Sequence, residues 1–347
     1  MSRALVISGG GSKGAFAVGV LKKLFDTYPE LKFDIFVGTS TGSLIVPLVA
    51  LNDMDSLEKL YSNQKTENIV LQGRLADRIN DVSIFDASPL KKLLGKNYTD
   101  QRYDEIIATG KKLFFTTTCL QSGQLVVYTN SDEAGDPANY EVKKIVSAEH
   151  FRQVVLASAC QPVFMQPVKI NLSIPGDPEQ NFQYVDGGVR EYAGIQMAID
   201  NGATEIFTIL LSPEKDGGED TAELTNLFSI LRKTIDIFTD DVGKNDLIIP
   251  EQYNEALLYI DAVKKKMIRN GISSDQVKDF FTIRGRESPY EDKVPIKMYI
   301  FRPKETLNGG PGGLSFDPAA MTDMISKGNG VANDFIASLD PGDITWA

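Results

Sequence analysis

The feature that most restricts the fold is a pattern that occurs twice in residues 1–51: a short apolar run, a glycine turn and a helical segment. Ala4 to Ser8 is an apolar run that ends at Gly9-Gly10-Gly11, and Ala15 to Tyr28 carries apolar residues at helical spacing. Phe33 to Val37 predicts a second buried strand, and Thr41 to Leu51 predicts a second apolar helix. Strands and helices that alternate in this order predict βαβ units and a parallel sheet. We therefore expect an α/β fold.

Later in the chain the strand patterns return and are then replaced by helical ones. The further predicted strands are Lys112 to Thr118, Gln124 to Thr129, Glu205 to Leu211 and Ile296 to Phe301. Before the last of these, Leu224 to Phe238 follow one helix stripe and Tyr253 to Asn270 predict another helix. We interpret 213–292 as a helical insertion, a candidate lid or docking surface, within one domain that spans 1–347. The Gly309–Gly313 run predicts a flexible surface loop.

The charge balance restricts the partners. The chain has 36 Lys and Arg against 47 Asp and Glu, a formal net charge of −11. A chain this acidic is a poor candidate for binding nucleic acid or an anionic membrane through its overall field. Any peripheral membrane contact would need a local apolar or basic patch. The sequence does not predict an oligomeric state.

Cysteine and histidine are scarce. Cys119 and Cys160 lie far apart in apolar surroundings, which favours two buried thiols over a disulfide or a metal site. With one histidine in the chain, we expect neither a metal nor another cofactor. The chain opens directly as a strand and has no apolar run of about 18 residues, so we expect no signal peptide and no transmembrane helix. These features favour a cytoplasmic protein, peripheral at membranes, although secretion without a cleavable signal would leave the same sequence.

Residues 38–42 read Gly38-Thr39-Ser40-Thr41-Gly42, which is G-x-S-x-G between a predicted buried strand and an apolar helix. A serine on such a sharp turn is held in the open as a nucleophile, and Gly38 and Gly42 let the backbone turn that tightly. The helix that follows points its free N–H groups at the reaction centre. The alternative is an ordinary turn between a strand and a helix that has no catalytic role.

The glycine loop after the first strand allows three interpretations. Gly9, Gly11 and Gly14 match the dinucleotide pattern G-x-G-x-x-G, with Asp34 about 20 residues further on. However, Asp34 begins the second strand, whereas an acid that binds ribose would lie at its end. The second interpretation is an oxyanion hole, for which the candidates are Gly9, Gly10, Gly11, Ser12, Lys13 and Gly14. The third is a turn without a ligand. The nearby serine favours the oxyanion hole, because both turns leave the same edge of adjacent parallel strands.

A nucleophilic serine needs a base. Asp186 follows the predicted strand Gln183 to Val185, and Gly187 and Gly188 would let its backbone approach another element closely. An ordinary Asp-Gly turn is the alternative. A Ser-His-Asp triad could use only His150, which the sequence places in the first turn of a helix as a partly exposed side chain.

Taken together, these motifs resemble those of the patatin-like phospholipases. That family carries G-G-G-x-[KR]-G after its first strand, G-x-S-x-G after its second and D-G-[GA] further on, which correspond to Gly9–Gly14, Gly38–Gly42 and Asp186–Gly188. Ala157–Val168 also resembles the stretch A-S-x-x-x-P-x-x-F-x-P-[VI], except that Met165 fills the Phe position. The resemblance is specific over 4–51 and 148–202.

The resemblance implies a three-layer α/β/α sandwich with a mainly parallel central sheet and cleavage of acyl esters in lipids without calcium. Ser40 would be the nucleophile and Asp186 the general base, with the backbone around Gly10 and Gly11 as the oxyanion hole and Lys13 in the family's basic position. This chain departs from the family at Tyr192 and Gly194, where Asn and Pro are frequent. The departure puts the local loop shape in question.

Two other functions remain open at this stage. An acyl-carrier-protein acyltransferase of the malonyl-transacylase type also uses a serine on an elbow, but it would need His150 as a catalytic residue. A non-catalytic lipid-binding protein could keep the same scaffold without turnover. A lipid acyl hydrolase of the phospholipase A or lysophospholipase type is the function that the motifs favour.

Overall fold

The computed structural model describes residues 2–72, 81–133, 137, 139–214, 223–225, 227–283, 290 and 293–339. Within these residues the strands are β1 (Arg3–Ile7), β2 (Ile35–Gly38), β3 (Leu71–Gln72), β4 (Phe85–Asp86), β5 (Lys112–Cys119), β6 (Leu125–Thr129), β7 (Glu141–Lys144), β8 (Tyr184–Asp186), β9 (Glu205–Ile209) and β10 (Lys297–Phe301). The helices are α1 (Gly14–Thr27), α2 (Thr41–Ala50), α3 (Met54–Asn63), α4 (Ser88–Asn97), α5 (Asp100–Ala108), α6 (Ala148–Ala159), α7 (Ile195–Asp200), α8 (Leu227–Arg269), α9 (Ser274–Phe281) and α10 (Pro318–Ser338).

The central sheet is mainly parallel. Strands β10, β9, β1, β2 and β5 lie side by side in this order, and each pair of neighbours is parallel. On the far side of β5, β6 pairs antiparallel with it and β7 pairs parallel with β6. This arrangement confirms the predicted α/β fold with a mainly parallel sheet flanked by helices.

Two apolar cores lie on opposite faces of the sheet. Along β1, Leu5 and Ile7 belong to one core, whereas Ala4 and Val6 belong to the other. Side chains alternate between the faces of a strand, so a sheet covered on both faces needs strands that are apolar throughout. Helices α1, α2, α3, α6 and α10 contribute to the first core, and α7 and α8 contribute to the second. The result is three layers.

Strands β2 and β8 share one edge of β5 and run toward each other. β2 pairs with Lys112 to Phe115, and β8 pairs antiparallel with Thr117 to Cys119. Because β6 already occupies the other edge of β5 over these residues, β8 must continue the line of β2. The last residue of β8 is Asp186, and Ser40 follows the end of β2. Two strands that meet end to end therefore bring these two residues together.

Helix α8 corrects the prediction of two separate helices in the insertion. It is continuous over 43 residues and passes through Pro250, which ordinarily interrupts a helix. Contacts on both sides of the proline hold it: Leu247 is buried in the second core, and the Asn254 amide exchanges two hydrogen bonds with the backbone of Ile296. Tertiary packing has overridden the local preference. Helix α9, which the periodicity did not predict, begins with a capping box in which Ser273 is the N-cap.

Parts of the predicted insertion, including residues 215–222 and 284–289, lie outside the described residues, as do several side chains of the Leu224–Phe238 stripe. Of that stripe, Ile235 packs against the first core, whereas Leu231 is exposed. No described helix is both long and apolar enough to span a bilayer. The organisation of the whole chain as one domain stays a prediction.

Helices α1 and α10 cross in direct backbone contact. A Cβ placed on Gly19 would lie 1.9 Å from the carbonyl oxygen of Ile325, and one placed on Gly328 would lie 2.0 Å from that of Phe16. Any side chain at these two positions would separate the helices. The C-terminal helix therefore fixes the position of α1, which begins directly after the glycine loop.

Candidate active site

Ser40 lies on a strained turn between β2 and α2. Its backbone has φ 55° and ψ −120°, a conformation that L residues rarely adopt. A Cβ on Gly38 would lie 2.6 Å from the backbone of Gly42, and one on Gly42 would lie 2.1 Å from the carbonyl oxygen of Ile7. Glycine is therefore required at both positions, as the G-x-S-x-G pattern predicts. The turn packs against the end of β1.

A chain of hydrogen bonds holds this turn from α6. The Ser40 N–H donates to Ser158 Oγ at 3.1 Å, Ser158 and Ser43 hydroxyls lie 2.6 Å apart, and Ser43 Oγ donates to the Gly38 carbonyl at 2.8 Å. Because Ser43 uses its proton on Gly38, Ser158 donates to Ser43. This role of Ser158 was not predicted from the sequence. Ser158 belongs to the stretch Ala157–Val168, which resembles a family motif but does not by itself indicate what the serine contacts.

Asp186 is the last residue of β8, and the Ser40 hydroxyl lies close enough to its carboxylate to stabilise the anion. Its Oδ1 accepts a second hydrogen bond from the Gly188 N–H at 2.8 Å, and its own N–H donates to the Cys160 carbonyl at 2.8 Å. Ser40 and Asp186 are only 5% and 4% exposed. The structure therefore brings together the two residues that the motifs singled out, with both side chains almost fully buried.

Burial raises the pKa of Asp186 to about 6, above the ordinary value of 3.8. Desolvation is the main cause, because it disfavours the charged carboxylate. The Ser40 hydroxyl and the Gly188 N–H stabilise the anion and oppose the increase. Burial and the nearby Asp186 charge also raise the pKa of the Cys160 thiol. The carboxylate is thus a stronger base than an exposed aspartate and is still ionised near neutral pH.

The two glycines after Asp186 permit close contact with β5. A Cβ on Gly187 would lie 2.1 Å from Thr116 Oγ1, and one on Gly188 would lie 3.1 Å from the Asp186 carboxylate. Thr116 in turn donates a 2.8 Å hydrogen bond to the Thr39 hydroxyl. Thr39 precedes Ser40, so β5 connects the turn that carries the serine to the loop that carries the aspartate.

The N-terminal glycine loop (Gly9–Gly14) lies beside Ser40. A Cβ on Gly9 would lie 3.2 Å from Ser40 Cβ and 3.9 Å from its hydroxyl oxygen. Gly14, the first residue of α1, approaches Thr41, the first residue of α2, so closely that a Cβ would lie 2.7 Å from Thr41 Oγ1. The N-termini of two helices therefore converge near the serine. Such termini present unpaired N–H groups to a developing negative charge.

Asp34 is remote from this loop. Its carboxylate accepts a hydrogen bond of 3.1 Å from the backbone N–H of Arg3, at the opposite end of β1 from Gly9. The dinucleotide interpretation needs an acid near the glycines. The geometry therefore favours the oxyanion interpretation, which stays a prediction for Gly9, Gly10, Gly11, Ser12, Lys13 and Gly14.

The C-terminal glycine loop (Gly309–Gly313) was predicted as a flexible surface loop, and this prediction is wrong. A Cβ on Gly11 would lie 2.2 Å from the Gly313 carbonyl oxygen, and one on Gly313 would lie 2.2 Å from the Gly10 carbonyl oxygen. The Gln161 amide also donates to the Gly312 carbonyl at 2.7 Å. The glycines of this loop allow its backbone to contact the backbone of Gly10 and Gly11 directly. The loop is packed on the glycines next to Ser40.

Tyr192 accounts for the departure from the family pattern. Its carbonyl accepts from the Gly9 N–H at 3.3 Å, its hydroxyl donates to Ser212 Oγ at 3.0 Å, and its N–H donates to the Asp246 carboxylate of α8. Asp246 also accepts from the N–H of Ala193 at 3.3 Å. The insertion helix is thus connected through Tyr192 to the glycine loop beside Ser40.

Two half-buried carboxyl groups, of Glu191 and Asp246, meet where α8 contacts this loop. Glu191 accepts a 2.7 Å hydrogen bond from the N–H of Gly194, which has φ 77°. Burial and the neighbouring Asp246 raise the pKa of Glu191, and burial also raises the pKa of Asp246. Two carboxylates this close repel each other, which favours the protonated form of one of them. Proline at position 194 would remove the N–H that Glu191 uses.

His150 lies elsewhere. It is only 1% exposed, which corrects the prediction of a partly exposed side chain, and its Nδ1 accepts from the Val146 N–H at 3.2 Å. Burial lowers its pKa, and its ring packs edge-on against Tyr128. Eight residues of α6 separate it from Ser158, the residue that contacts the Ser40 backbone, which is about 12 Å along the helix. The structure does not bring His150 to Ser40.

Both cysteines are free and buried, which confirms the interpretation of two buried thiols. Among the described residues, no three His, Cys, Asp or Glu side chains gather in a way that could hold a metal ion.

Three comparisons with known proteins bear on this site. The family model for patatin-like phospholipases matches residues 5–199. The cUMP-AMP-activated phospholipase of Escherichia coli is 42% identical over 64 residues, which are 17% of this chain and 20% of that protein. The chain thus matches only a fifth of the length of this relative. Among solved structures, VipD from Legionella pneumophila is similar with 12% identity and a TM-score of 0.41, over 97% of this chain and 67% of that one.

Proposed function

This chain belongs to the patatin-like phospholipase family, and on that premise we propose that it hydrolyses acyl esters of lipids through a Ser40–Asp186 dyad. The observation that carries the proposal is the strained, buried Ser40 beside the buried carboxylate of Asp186, whose pKa is raised to about 6. A general base works best when its pKa lies near the operating pH. Phospholipase A and lysophospholipase activities are the finer assignments that we propose.

The first half of the reaction forms an ester on the protein. Ser40 Oγ attacks the carbonyl carbon of the lipid ester while Asp186 accepts the hydroxyl proton. The tetrahedral intermediate then collapses, the bond to the alcohol oxygen breaks, and Asp186 returns the proton to the leaving alcohol. In the second half, Asp186 takes a proton from water, whose oxygen attacks the acyl-serine. The fatty acid leaves, and Ser40 regains its proton from Asp186.

Stabilisation of the oxyanion is assigned to the backbone of Gly10 and Gly11. The supporting observation is that Gly9 is packed against Ser40 and that α1 and α2 begin on either side of it. Donors aimed at the developing charge typically contribute about 2.7–4 kcal/mol each. Contact with the C-terminal glycine loop keeps the Gly10–Gly11 backbone in position.

The two alternatives receive less support. An acyltransferase of the malonyl-transacylase type needs His150, which is buried and bonded to the backbone at the start of α6. A lipid-binding protein without turnover has no need of a strained serine next to a carboxylate with a raised pKa. Strain of this kind costs about 1–3 kcal/mol and is usually found where it serves a function.

The test is a panel of phospholipids, lysophospholipids, neutral lipids and nitrophenyl esters, assayed with the wild type and with Ser40→Ala. We expect the variant to lose at least about a thousandfold in kcat and to lose labelling by a fluorophosphonate probe. Its circular dichroism spectrum should match that of the wild type. Full labelling of the variant would exclude Ser40 as the nucleophile. A wild type that is neither labelled nor active on any ester would support the binding protein instead.

A further inference from the structure

The end of α8 that lies away from the serine forms an open groove with α9. The groove has a volume of about 610 Å³, and its lining includes Ile268, Phe280 and Ile283. Asp246, the contact between α8 and the loop of Tyr192, precedes Ile268 by 22 residues, a helical length of about 33 Å. The groove therefore lies about 33 Å along α8 from the contact with the loop of Tyr192.

The apolar side chains of the groove are unusually exposed. Phe280 is 67% exposed, Ile283 58% and Ile268 46%. Val277, which also lines the groove, is buried, so this face of α9 is covered next to α8 and exposed at Phe280. Single exposed apolar residues are ordinary on a protein surface, but a cluster around one groove marks a site of interaction.

The charge around the groove is opposite to that of the molecule. Residues 260–281 contain five basic and three acidic side chains, whereas the whole chain has a net charge of −11. Lys264, Lys265 and Lys278 line the groove together with a single acid, Asp261. Asp261 already forms an ion pair with Lys265 at 2.7 Å. The Lys264 ammonium lies 5.0 Å from the centre of the Phe281 ring, so charged and aromatic groups are interleaved here.

We propose that this groove of the α8–α9 hairpin is a docking surface for a lipid bilayer that carries anionic headgroups. Apolar side chains would enter the boundary between headgroups and acyl chains, and the lysines would contact the anionic headgroups, which is the usual arrangement at a membrane interface. The acidic protein as a whole would be repelled by an anionic bilayer, but the lysines of the groove would attract the bilayer locally. The surface is separate from Ser40 and Asp186, so it can be tested without turnover.

The experiment uses the Ser40→Ala protein, which should not consume the lipid. Cosedimentation is measured with vesicles of phosphatidylcholine alone and of phosphatidylcholine with about 30% phosphatidylserine, at about 0.1 M salt. We expect binding to the anionic vesicles that falls when salt is raised, and much weaker binding to the neutral ones. Neutralising a lysine at a membrane surface should weaken partitioning about fivefold. The pair Lys264→Gln and Lys278→Gln should therefore weaken it about 25-fold.

A second variant tests the apolar part. Phe280→Ser with Ile283→Ser should weaken binding more than about tenfold, because two apolar side chains would no longer leave water. The matched controls are Lys32→Gln, whose side chain is 75% exposed on another surface, and Ile107→Ser on α5, which is 42% exposed. Both controls should bind like the parent protein. Circular dichroism verifies that α8 and α9 remain folded in every variant.

Some outcomes would overturn the proposal. They are a parent protein that does not bind anionic vesicles, equal binding to neutral and anionic vesicles, and double variants that bind as tightly as the controls. If the groove variants lose binding to a protein and not to vesicles, the groove is a protein interface. Failure of lipid hydrolysis by the wild type would be seen in a separate assay and would leave the vesicle result unchanged.

Discussion

Ser40 and Asp186 are both held in unfavourable environments: one has a strained backbone, and the other is a carboxylate removed from water. Ser40 has a positive φ, which its neighbours impose through Gly38 and Gly42, and Asp186 keeps a buried carboxylate. The two costs are connected, because the strained turn places the serine hydroxyl beside the Asp186 carboxylate, whose anion the hydroxyl stabilises. A base with a raised pKa that is held next to the serine lowers the reorganisation that proton transfer needs.

The raised pKa of Asp186 predicts the pH dependence of the reaction. The general base must be ionised, so kcat/KM for a soluble ester should fall about tenfold per pH unit below the pKa of about 6 and level off above it. An ordinary aspartate would keep the enzyme active to about two units lower. Asp186→Asn should abolish turnover, and the control His150→Gln should remain within a few-fold of the wild type.

The opposite result would identify a different base. An inactive His150→Gln variant together with an active Asp186→Asn variant would restore the acyltransferase alternative. A rate that stays level down to about pH 4 would contradict a desolvated carboxylate as the base.

For individual residues, the sequence predicted that Ser40 and Asp186 lie together, but it did not predict the contacts that hold them in place. G-x-S-x-G and D-G-G predicted Ser40 and Asp186 because turn geometry is local and only glycine permits it. Burial depends on contacts that are remote in the sequence. His150 has the polar neighbours of a helix start, but Tyr128 of β6 packs against it and it is buried. Ser158 supports the turn through a hydrogen bond across 118 positions of the chain, which no pattern of neighbours predicts.

Among the elements, α8 shows how an insertion can influence a distant site. Its Asp246 accepts hydrogen bonds from two consecutive N–H groups, of Tyr192 and Ala193, and the Tyr192 carbonyl accepts the Gly9 N–H. Gly243 of the same helix packs on the Tyr192 ring. The position of the N-terminal glycine loop therefore depends on how α8 is docked.

Asp246→Ala should impair turnover more than stability alone explains. Two backbone donors would lose a charged acceptor, which typically costs about 1.5–3 kcal/mol per hydrogen bond. Movement of Gly9 by about 1 Å would lower kcat by roughly one to two orders of magnitude. The measurement is kcat and KM of a soluble ester well below the melting temperature. Asp261→Ala, in the same helix but paired on the surface with Lys265, is the matched control.

Asp246→Asn separates positioning from a general loss of structure. Its amide oxygen can still accept from the two N–H groups, so kcat should recover most of the loss. If Asp246→Ala and Asp261→Ala have the same kcat, α8 does not position the loop.

The elements that the sequence predicted incorrectly are those decided by remote contacts. The α/β alternation of residues 1–51 was sufficient for β1, α1, β2 and α2, because each buries one continuous apolar set. Helix α8 continues past Pro250 only because Leu247 and Asn254 are held from the sheet side. Gly309–Gly313 has the composition of a free loop, and its docking on Gly10 and Gly11 depends on a match between two backbones.

For the molecule as a whole, the buried Asp186 carboxylate should lower the free energy of unfolding at neutral pH. Asp186 has a pKa of about 6 in the folded protein and an ordinary value of 3.8. Because the folded pKa is raised, the protonated group stabilises the fold below about pH 4, and this contribution is lost as pH rises through about 6. The difference corresponds to about 2–3 kcal/mol at 1.36 kcal/mol per pKa unit.

Asp186→Asn removes this titration. The free energy of unfolding of the variant, relative to the wild type, should rise by about 2–3 kcal/mol between about pH 4 and pH 7. Chemical denaturation at the two pH values measures it, with Asp261→Asn as the control for a carboxylate near the surface. A relative stability that does not change with pH would mean that Asp186 is not desolvated in the folded protein.

The crossing of α1 and α10 has a consequence for the order in which the molecule is made. Gly19 and Gly328 are about 300 positions apart, so a ribosome that adds about 5–20 residues per second finishes the partner of α1 some 15–60 s after α1 itself. During that interval the face of α1 that α10 will cover has no native partner from α10, and it offers a binding site to any chaperone that waits near the exit tunnel.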